Sequence, residues 1–242
     1  MPKKIPQSMQ ASCMDCEARK FAWFEPGSAD ELLSQRQVYR NSQSIYEPGE
    51  YLFAEGDVHP MAYTLKEGWA ICYKQLLDGQ RQVVHVALPG DFLGYQTDFS
   101  ERIDYSVMAV TECKFCGFTP AGIESLLEKD LSLIKRLMEI QNKQNKSCKR
   151  TLSVVGQAQA KSKVAYFLAD LVERLERRGL DIEETLAFPL SREDIADAIG
   201  ITPVHLSRVS VELSNAHVVE CRHNKLKVMD IPALQHLAEA VF

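Results

Sequence analysis

The feature that most constrains this chain lies near its C-terminus, where two helix-start signals are separated by a single glycine. Ser191-Arg192-Glu193-Asp194 places a hydroxyl ahead of carboxylates, the pattern by which a side-chain oxygen satisfies the orphan amides of a first helical turn. A short helix over Ile195-Ala196-Asp197-Ala198-Ile199 is expected, ended by Gly200. Ile201 then reads as a buried turn residue, Thr202 as the cap of a second helix, Pro203 as its first residue and Val204 to Leu213 as its body. Helices joined this tightly need a small residue at their contact and one tolerant of left-handed geometry in the turn. Ala196 and Gly200 supply these, while Ile195, Ile199, Ile201, Leu206 and Val209 face a shared core. The expectation is a helix-turn-helix.

Val218-Val219-Glu220-Cys221-Arg222, the polar pair His223-Asn224, and Lys225-Leu226-Lys227-Val228 read as a hairpin, a wing beside the helix pair. Asp230 and Pro232 open a terminal helix. The exposed face of the second helix carries Val204, Ser207 and Arg208, spaced so that all three can enter one major groove. Arg208 suits a bidentate contact with guanine, Ser207 can donate or accept at a base edge, and Val204 suits a thymine methyl. His205 is ambiguous, and Arg208 on a phosphate stays open as the plainer role. Arg192, Thr202, Arg222, Lys225 and Lys227 are further candidates for phosphate or base contact. A net charge of −5 argues against indiscriminate attraction to nucleic acid but leaves room for a local basic face.

The N-terminal half has another texture. From Ser44 to Gln96, turn glycines in Pro48-Gly49-Glu50, Glu55-Gly56-Asp57, Glu67-Gly68, Asp78-Gly79 and Pro89-Gly90-Asp91 separate short aromatic and aliphatic runs. Closely spaced strands with turn chemistry between them predict an antiparallel sandwich or barrel, with Asp78-Gly79 as its clearest hairpin. Tyr105 to Phe118 reads as a further extended stretch, and Thr119-Pro120 as a helix start. From Leu131 to Ala160 the pattern becomes one long helix, with Leu133, Leu137, Ile140, Thr151 and Val154 near heptad spacing. It suits dimerisation, although its polar middle, Gln141 to Ser147, is also compatible with a solvated surface helix. A second helix, Ala160 to Arg178, carries Val164, Phe167, Leu168, Leu171 and Leu175 on one face and stops at Gly179. No apolar run approaches the roughly 20 residues of a membrane span, and the N-terminus lacks a signal-peptide core, so a cytoplasmic protein is expected.

A β-roll with Pro-Gly-Glu, Glu-Gly-Asp and Pro-Gly-Asp-Phe-Leu-Gly turns, then a long helix, then a winged helix-turn-helix, resembles the Crp/Fnr family over nearly the whole chain. The resemblance implies an α+β fold. Residues 1–28 would form a cysteine-containing N-terminal segment, 29–130 a cyclic-nucleotide-binding-like jelly roll acting as sensor, 131–160 a dimerisation helix and 161–242 the DNA-binding domain. It also implies a homodimeric transcription regulator on an inverted-repeat operator, with RNA polymerase as partner and no enzyme activity. Ile201-Thr202-Pro203-Val204-His205-Leu206-Ser207-Arg208 looks like the Fnr branch, whose glutamate, serine and arginine readers fall on Val204, Ser207 and Arg208. Serine and arginine match, glutamate does not. A TTGA-type half-site follows, its preference beside the lost acidic reader left open.

Cyclic-nucleotide binders of the family hold ribose and phosphate with a glycine-glutamate-leucine segment and an arginine-serine pair. Here Gly94 is followed by Tyr95, and Ile103-Asp104 stands at the arginine-serine position, so no cyclic AMP is expected. Cys13, Cys16 and Cys116 resemble three of the four ligands that oxygen-sensing Fnr proteins give a 4Fe-4S cluster; Ala22 stands where a further cysteine would be. Asp15, Glu17 or Cys113 would have to supply the fourth. A thiol–disulfide or zinc role for Cys13 and Cys16, or no sensing role at all, remain alternatives. Cys113 and Cys116 are three apart in an extended stretch and should face opposite ways. The expected signal is redox, oxygen or nitric oxide. An unknown small ligand, haem held by His85, and a CxxC thiol oxidoreductase are the other readings, the last without the βαβ setting such enzymes use.

Overall fold

The computed structural model describes residues 3–6, 12–13, 16–23 and 39–239. The expected boundary at residues 28 and 29 lies outside the described residues. The chain divides into two compact units, Met1–Gln80 with Val84–Gln144, and Arg81–Val83 with Asn145–Phe242.

The first unit is built on two antiparallel sheets. One runs β1-β2-β9-β4-β7, from strands β1 (Lys3–Lys4), β2 (Arg40–Tyr46), β9 (Cys113–Phe118), β4 (Ala62–Glu67) and β7 (Phe92–Leu93). The other runs β3-β8-β5-β6, from β3 (Tyr51–Phe53), β8 (Ser106–Ala109), β5 (Ala70–Gln75) and β6 (Arg81–Ala87). Leu65, Cys72, Val107 and Phe115 are among the residues packed between them. The Asp78-Gly79 hairpin joins β5 to β6 as expected, with the amide of Leu76 bonded to the carbonyl of Gln80 at 2.8 Å. At Gly68, φ is 93° and a Cβ would stand 2.2 Å from the carbonyl oxygen of Glu112, so that turn admits no side chain. The stretch expected to run extended from Tyr105 to Phe118 is two strands that lie in different sheets. The amides of Val110 and Thr111 both bond to the carbonyl of Trp69, separating β8 from β9.

Thr119 caps α1 (Pro120–Lys129), accepting from the amide of Gly122. The helices then cover the outer face of the five-stranded sheet. There Ala22, Trp23, Phe92, Cys116, Phe118, Ile123 and Leu126 form a second core with Leu133 and Leu137 of α2 (Ser132–Gln157). Trp23 stacks on Phe92 at 5.0 Å between ring centroids and meets Phe118 edge-on.

That packing corrects the expected dimer seam. Leu133, Leu137 and Val154, three of the five residues read near heptad spacing, are buried at 2%, 6% and 1% exposure by the chain's own cores. The outward apolar residues are Leu131, just ahead of the helix, then Ile134, Met138 and Leu152. With Gln141, Asn145 and Cys148 between them, they recur in alternating steps of three and four residues.

In the second unit, α3 (Ala160–Glu176) buries Val164, Leu168, Leu171 and Leu175, and closes with the amide of Gly179 on the carbonyl of Glu176. The helices α4 (Arg192–Ile199) and α5 (Pro203–Asn215) form the helix-turn-helix, and α6 (Ile231–Glu239) packs back on α3. The wing is β11 (Val219–Arg222) and β12 (Lys225–Val228). His223 and Asn224 both take positive φ, 52° and 57°, as a two-residue hairpin turn requires. A third strand, β10 (Leu186–Ala187), pairs with β12.

Candidate functional site

The reading head is set by its caps. Ser191 Oγ accepts from the Asp194 amide at 3.0 Å while the Asp194 carboxylate accepts from the Ser191 amide at 3.0 Å, a complete capping box. Gly200 ends α4 in the left-handed region, φ 62° and ψ 50°. The Ile201 amide returns to the carbonyl of Ala196, and Thr202 Oγ1 accepts from the His205 amide at 3.2 Å to start α5. Leu206, Val209 and Leu213 point into the core, which fixes the rotation of α5. Val204, at 63% exposure, and Arg208 therefore face outward, with Ser207 half-buried beside them and Thr202 and His205 exposed at the helix start. Ser207 Oγ donates back to the carbonyl of Pro203 at 2.9 Å, so towards an outside partner its oxygen is available as an acceptor. Val211, one turn further along the same face, is 57% exposed and escaped the sequence reading.

Arg192 is exposed on the first turn of α4. On the wing, Arg222 and Lys225 are exposed cross-strand partners flanking the turn, and Lys227 is exposed opposite Glu220. Glu220 also holds the Arg222 Nε at 3.1 Å.

Inside the roll, the Gly94 and Ile103 region is packed with aromatic side chains. The Gly94 amide donates to Tyr105 Oη at 2.8 Å, and Tyr105 meets Phe53 edge-on at 5.4 Å. Burial holds the Tyr105 phenol well above its ordinary pKa, so it stays neutral. Ile103 is buried and Asp104 exposed. His85, the haem candidate, has its Nε2 2.9 Å from an Asp91 carboxylate oxygen that also accepts from the Leu88 amide.

Cys13, Cys16 and Cys116 line one small concavity, with Ala22 in its wall. Strand order builds one side of it: Gln43 on β2 and Thr64 on β4 both pair with Cys116 on the strand between them. The chain from Ser12 to Ala22 builds the other side, through a 3₁₀ turn at Glu17–Lys20. Arg40 Nη1 donates to Cys13 Sγ at 3.4 Å, and Gln43 Nε2 to Cys116 Sγ at 3.5 Å. Burial raises the pKa of Cys13, opposed by the charges of Arg40 and Lys66. Burial pushes the Cys116 thiol up to about 11 despite Arg40. Arg40, Thr64 and Lys66 carried no signal in the sequence; they converge through the order of β2, β9 and β4. Cys113 faces the other core and donates its thiol to the carbonyl of Trp69 at 3.0 Å, as strand alternation requires.

The donor set tests the iron–sulfur expectation. Three thiols share the pocket, but Ala22 closes it without a donor, Cys113 points away, and Asp15 lies outside the described residues. Glu17 is exposed and bonded to Lys20. Among the described residues, no three His, Cys, Asp or Glu side chains stand together so as to hold a metal ion. This set does not fit a four-ligand cluster.

Residues 43–130 match the model of the cyclic nucleotide-binding domain, and residues 162–237 that of the Crp-like helix-turn-helix domain. The nitrogen fixation regulation protein FixK of Bradyrhizobium diazoefficiens is 32% identical over 229 residues, covering 94% of each chain. The transcriptional activatory protein AadR of Rhodopseudomonas palustris is 31% identical over 89% of this chain and 88% of its own. The transcriptional activator protein FnrL of Cereibacter sphaeroides is 28% identical over 81% and 79%. In fold, the structure of FixK2 from Bradyrhizobium japonicum superposes with a TM-score of 0.73 at 22% identity, over 81% of this chain and 96% of that one. Two domain matches in the order in which the roll and the reading head occur, and a relative aligned almost end to end, lead to one conclusion: the chain belongs to the Crp/Fnr family of DNA-binding transcription regulators, on its Fnr-like branch.

Proposed function

We propose that the chain binds an inverted-repeat operator as a homodimer, reading an Fnr-like half-site with Ser207 and Arg208, and that a redox signal at the thiol pocket sets its affinity. The observation that carries this reading is the rotation of α5: with Leu206, Val209 and Leu213 inward, Val204, Ser207 and Arg208 share the outer face. Arg192, Thr202, His205, Arg222 and Lys225 surround that face as phosphate or flanking contacts. Pairing along Leu131, Ile134, Met138 and Leu152 would bury the exposed apolar residues of α2 and set two reading heads about a twofold axis. An Fnr-like activator of this kind would work in the cytoplasm with RNA polymerase; no described helix is long and apolar enough to cross a membrane.

The thiol pocket and α2 share packing within the first unit. Cys116 and Ala22, which line the thiol pocket, belong to the core that also holds Leu133 and Leu137 of α2. A change in the pocket thus reaches the base of the pairing helix through packed side chains. Cyclic AMP is the poorer signal, since Tyr105 and Ile103 present no cation to its phosphate. A 4Fe-4S cluster would need a ligand from beyond the described residues.

The test is fluorescence anisotropy on duplexes carrying an inverted TTGA-type repeat. Arg208→Ala should weaken specific binding by about 10- to 100-fold and relax preference at one base pair. Lys225→Ala should weaken all sequences alike and lower the salt slope by about one. If Arg208→Ala leaves the specific-to-random ratio intact, α5 is not the reader.

A further inference from the structure

We propose that Cys13 and Cys16 form a two-electron thiol switch that takes hydroperoxides as its oxidant, with Cys116 a third sulfur that stays reduced. This rests on the redox reading above and names its chemistry.

Three features of the pocket carry it. The first is the spacing of the pair. The Cys16 amide bonds to the carbonyl of Cys13 at 3.5 Å. Residues three apart and joined by such a bond lie within about 7 Å at Cα, close to the range a disulfide spans. Cys113 and Cys116, also three apart, lie on an unbroken strand in different cores and cannot close in this way.

The second feature is access. Cys16 is half-buried, whereas Cys13 and Cys116 are buried at 8% and 7% exposure. An oxidant from solvent therefore meets Cys16 before Cys13.

The third is the lining. Among the described residues around the concavity are Arg19, Arg40 and Lys66 and no carboxylate. Arg40 donates to Cys13 Sγ, and Arg19 Nη1 reaches the Cys13 carbonyl at 3.5 Å. Lys66 also pairs with Glu67 outside the pocket at 3.1 Å. Thr64, only 3% exposed, has an Oγ1 with no hydrogen-bond partner among the described residues and lines the same space. The cations oppose the burial that keeps Cys13 protonated, and they stabilise the oxyanions released during oxidation. A buried hydroxyl without a partner costs stability unless a polar group arrives, and a peroxide or sulfenate oxygen is such a group.

The reaction balances without a metal. The Cys16 thiolate attacks the near oxygen of ROOH, the O–O bond breaks, and RO⁻ leaves and takes up a proton, giving Cys16–SOH. The Cys13 thiolate then attacks the Cys16 sulfur, the S–O bond breaks, and hydroxide leaves as water. Two thiols have lost two electrons to the peroxide, which ends as ROH and H₂O.

The full chain, purified under argon, is treated with one equivalent of hydrogen peroxide and followed by intact mass, peptide mapping and iron analysis. Wild type should lose two hydrogens, with the Cys13 and Cys16 peptides cross-linked and Cys116 free after denaturation. Cys16→Ser should block the loss. Cys13→Ser should stop at a sulfenic acid on Cys16 that dimedone traps, and Cys116→Ser should behave as wild type. Arg40→Gln should slow disulfide closure about tenfold. A disulfide that includes Cys116, a Cys116→Ser protein that fails to oxidise, or stoichiometric iron and sulfide on these thiols would overturn the switch. Operator binding of reduced Cys16→Ser, measured alongside, keeps the outcomes apart: normal binding with no oxidation sinks the switch alone, and lost binding by the reduced wild type sinks the regulator reading.

Discussion

Three glycines of the second unit occupy three backbone situations, so replacing each by alanine should give three different results. Gly200 has φ 62°, and a Cβ there would stand 3.1 Å from Val155 Cγ1. Gly179 has φ 82° with open space around it, and Gly156, inside α2, has no strained φ and nothing within 4 Å. Left-handed geometry costs an L-residue about 1 kcal/mol, and that is the whole expected loss for Gly179→Ala. Gly200→Ala should lose the same and up to about 1 kcal/mol more, because Val155 must shift to admit the methyl. Gly156→Ala should gain up to about 0.5 kcal/mol, since alanine restricts the unfolded chain and favours helix. Both tryptophans, Trp23 and Trp69, lie in the first unit, so their fluorescence does not report on this region. Amide hydrogen exchange over α4 and α5, followed by mass spectrometry on the full chain, does. A loss of 1–2 kcal/mol would speed exchange about 5- to 30-fold in Gly200→Ala. Exchange in Gly200→Ala no faster than in Gly179→Ala, or faster exchange in Gly156→Ala than in wild type, would refute this reading of the turn.

Ser191→Ala removes the hydroxyl half of the capping box, leaving the Ser191 amide on Asp194, and should destabilise α4 by about 1 kcal/mol, read as faster exchange of its first-turn amides. Met138→Glu sets like charges facing each other across the pairing seam and should shift the chain to monomer in sedimentation velocity; a dimer of unchanged strength would place the interface elsewhere. Burial holds the Cys113 thiol at about 11 against a reference of 9.0, so the folded state keeps its proton longer than the unfolded chain. Its contribution is full below pH 9.0 and is lost as pH rises towards 11. Urea unfolding should show a steeper decline over that window in wild type than in Cys113→Ala, and parallel profiles would contradict the burial.

What could be read from the sequence was mostly local. Ser191, Thr119, Thr202 and Gly200 act on backbone groups within a turn of themselves, so residue type and spacing were enough to locate them. The seam of α2 failed for a physical reason. Leu133 and Leu137, like Leu131, Ile134 and Met138, recur at helical spacing, and periodicity does not say which stripe faces the chain's own core. Strand β10 is two residues long and held by its pairing to β12, a partner nearly forty residues away that no local pattern announces. The thiols were visible as cysteines, but Arg40, Thr64 and Lys66 reach them only through the neighbour order of three strands.

The tight turn at His223 and Asn224 has an electrostatic consequence. It sets Arg222 directly across from Lys225, two like charges in adjacent register, and cross-strand pairs of that kind repel. Glu220 shares part of the burden by holding Arg222 from its own strand. The tip of the wing thus carries a small, partly relieved tension in the free protein, and an anion seated between the two cations would discharge it. A loop charged in this way would discriminate by sign before it discriminated by sequence.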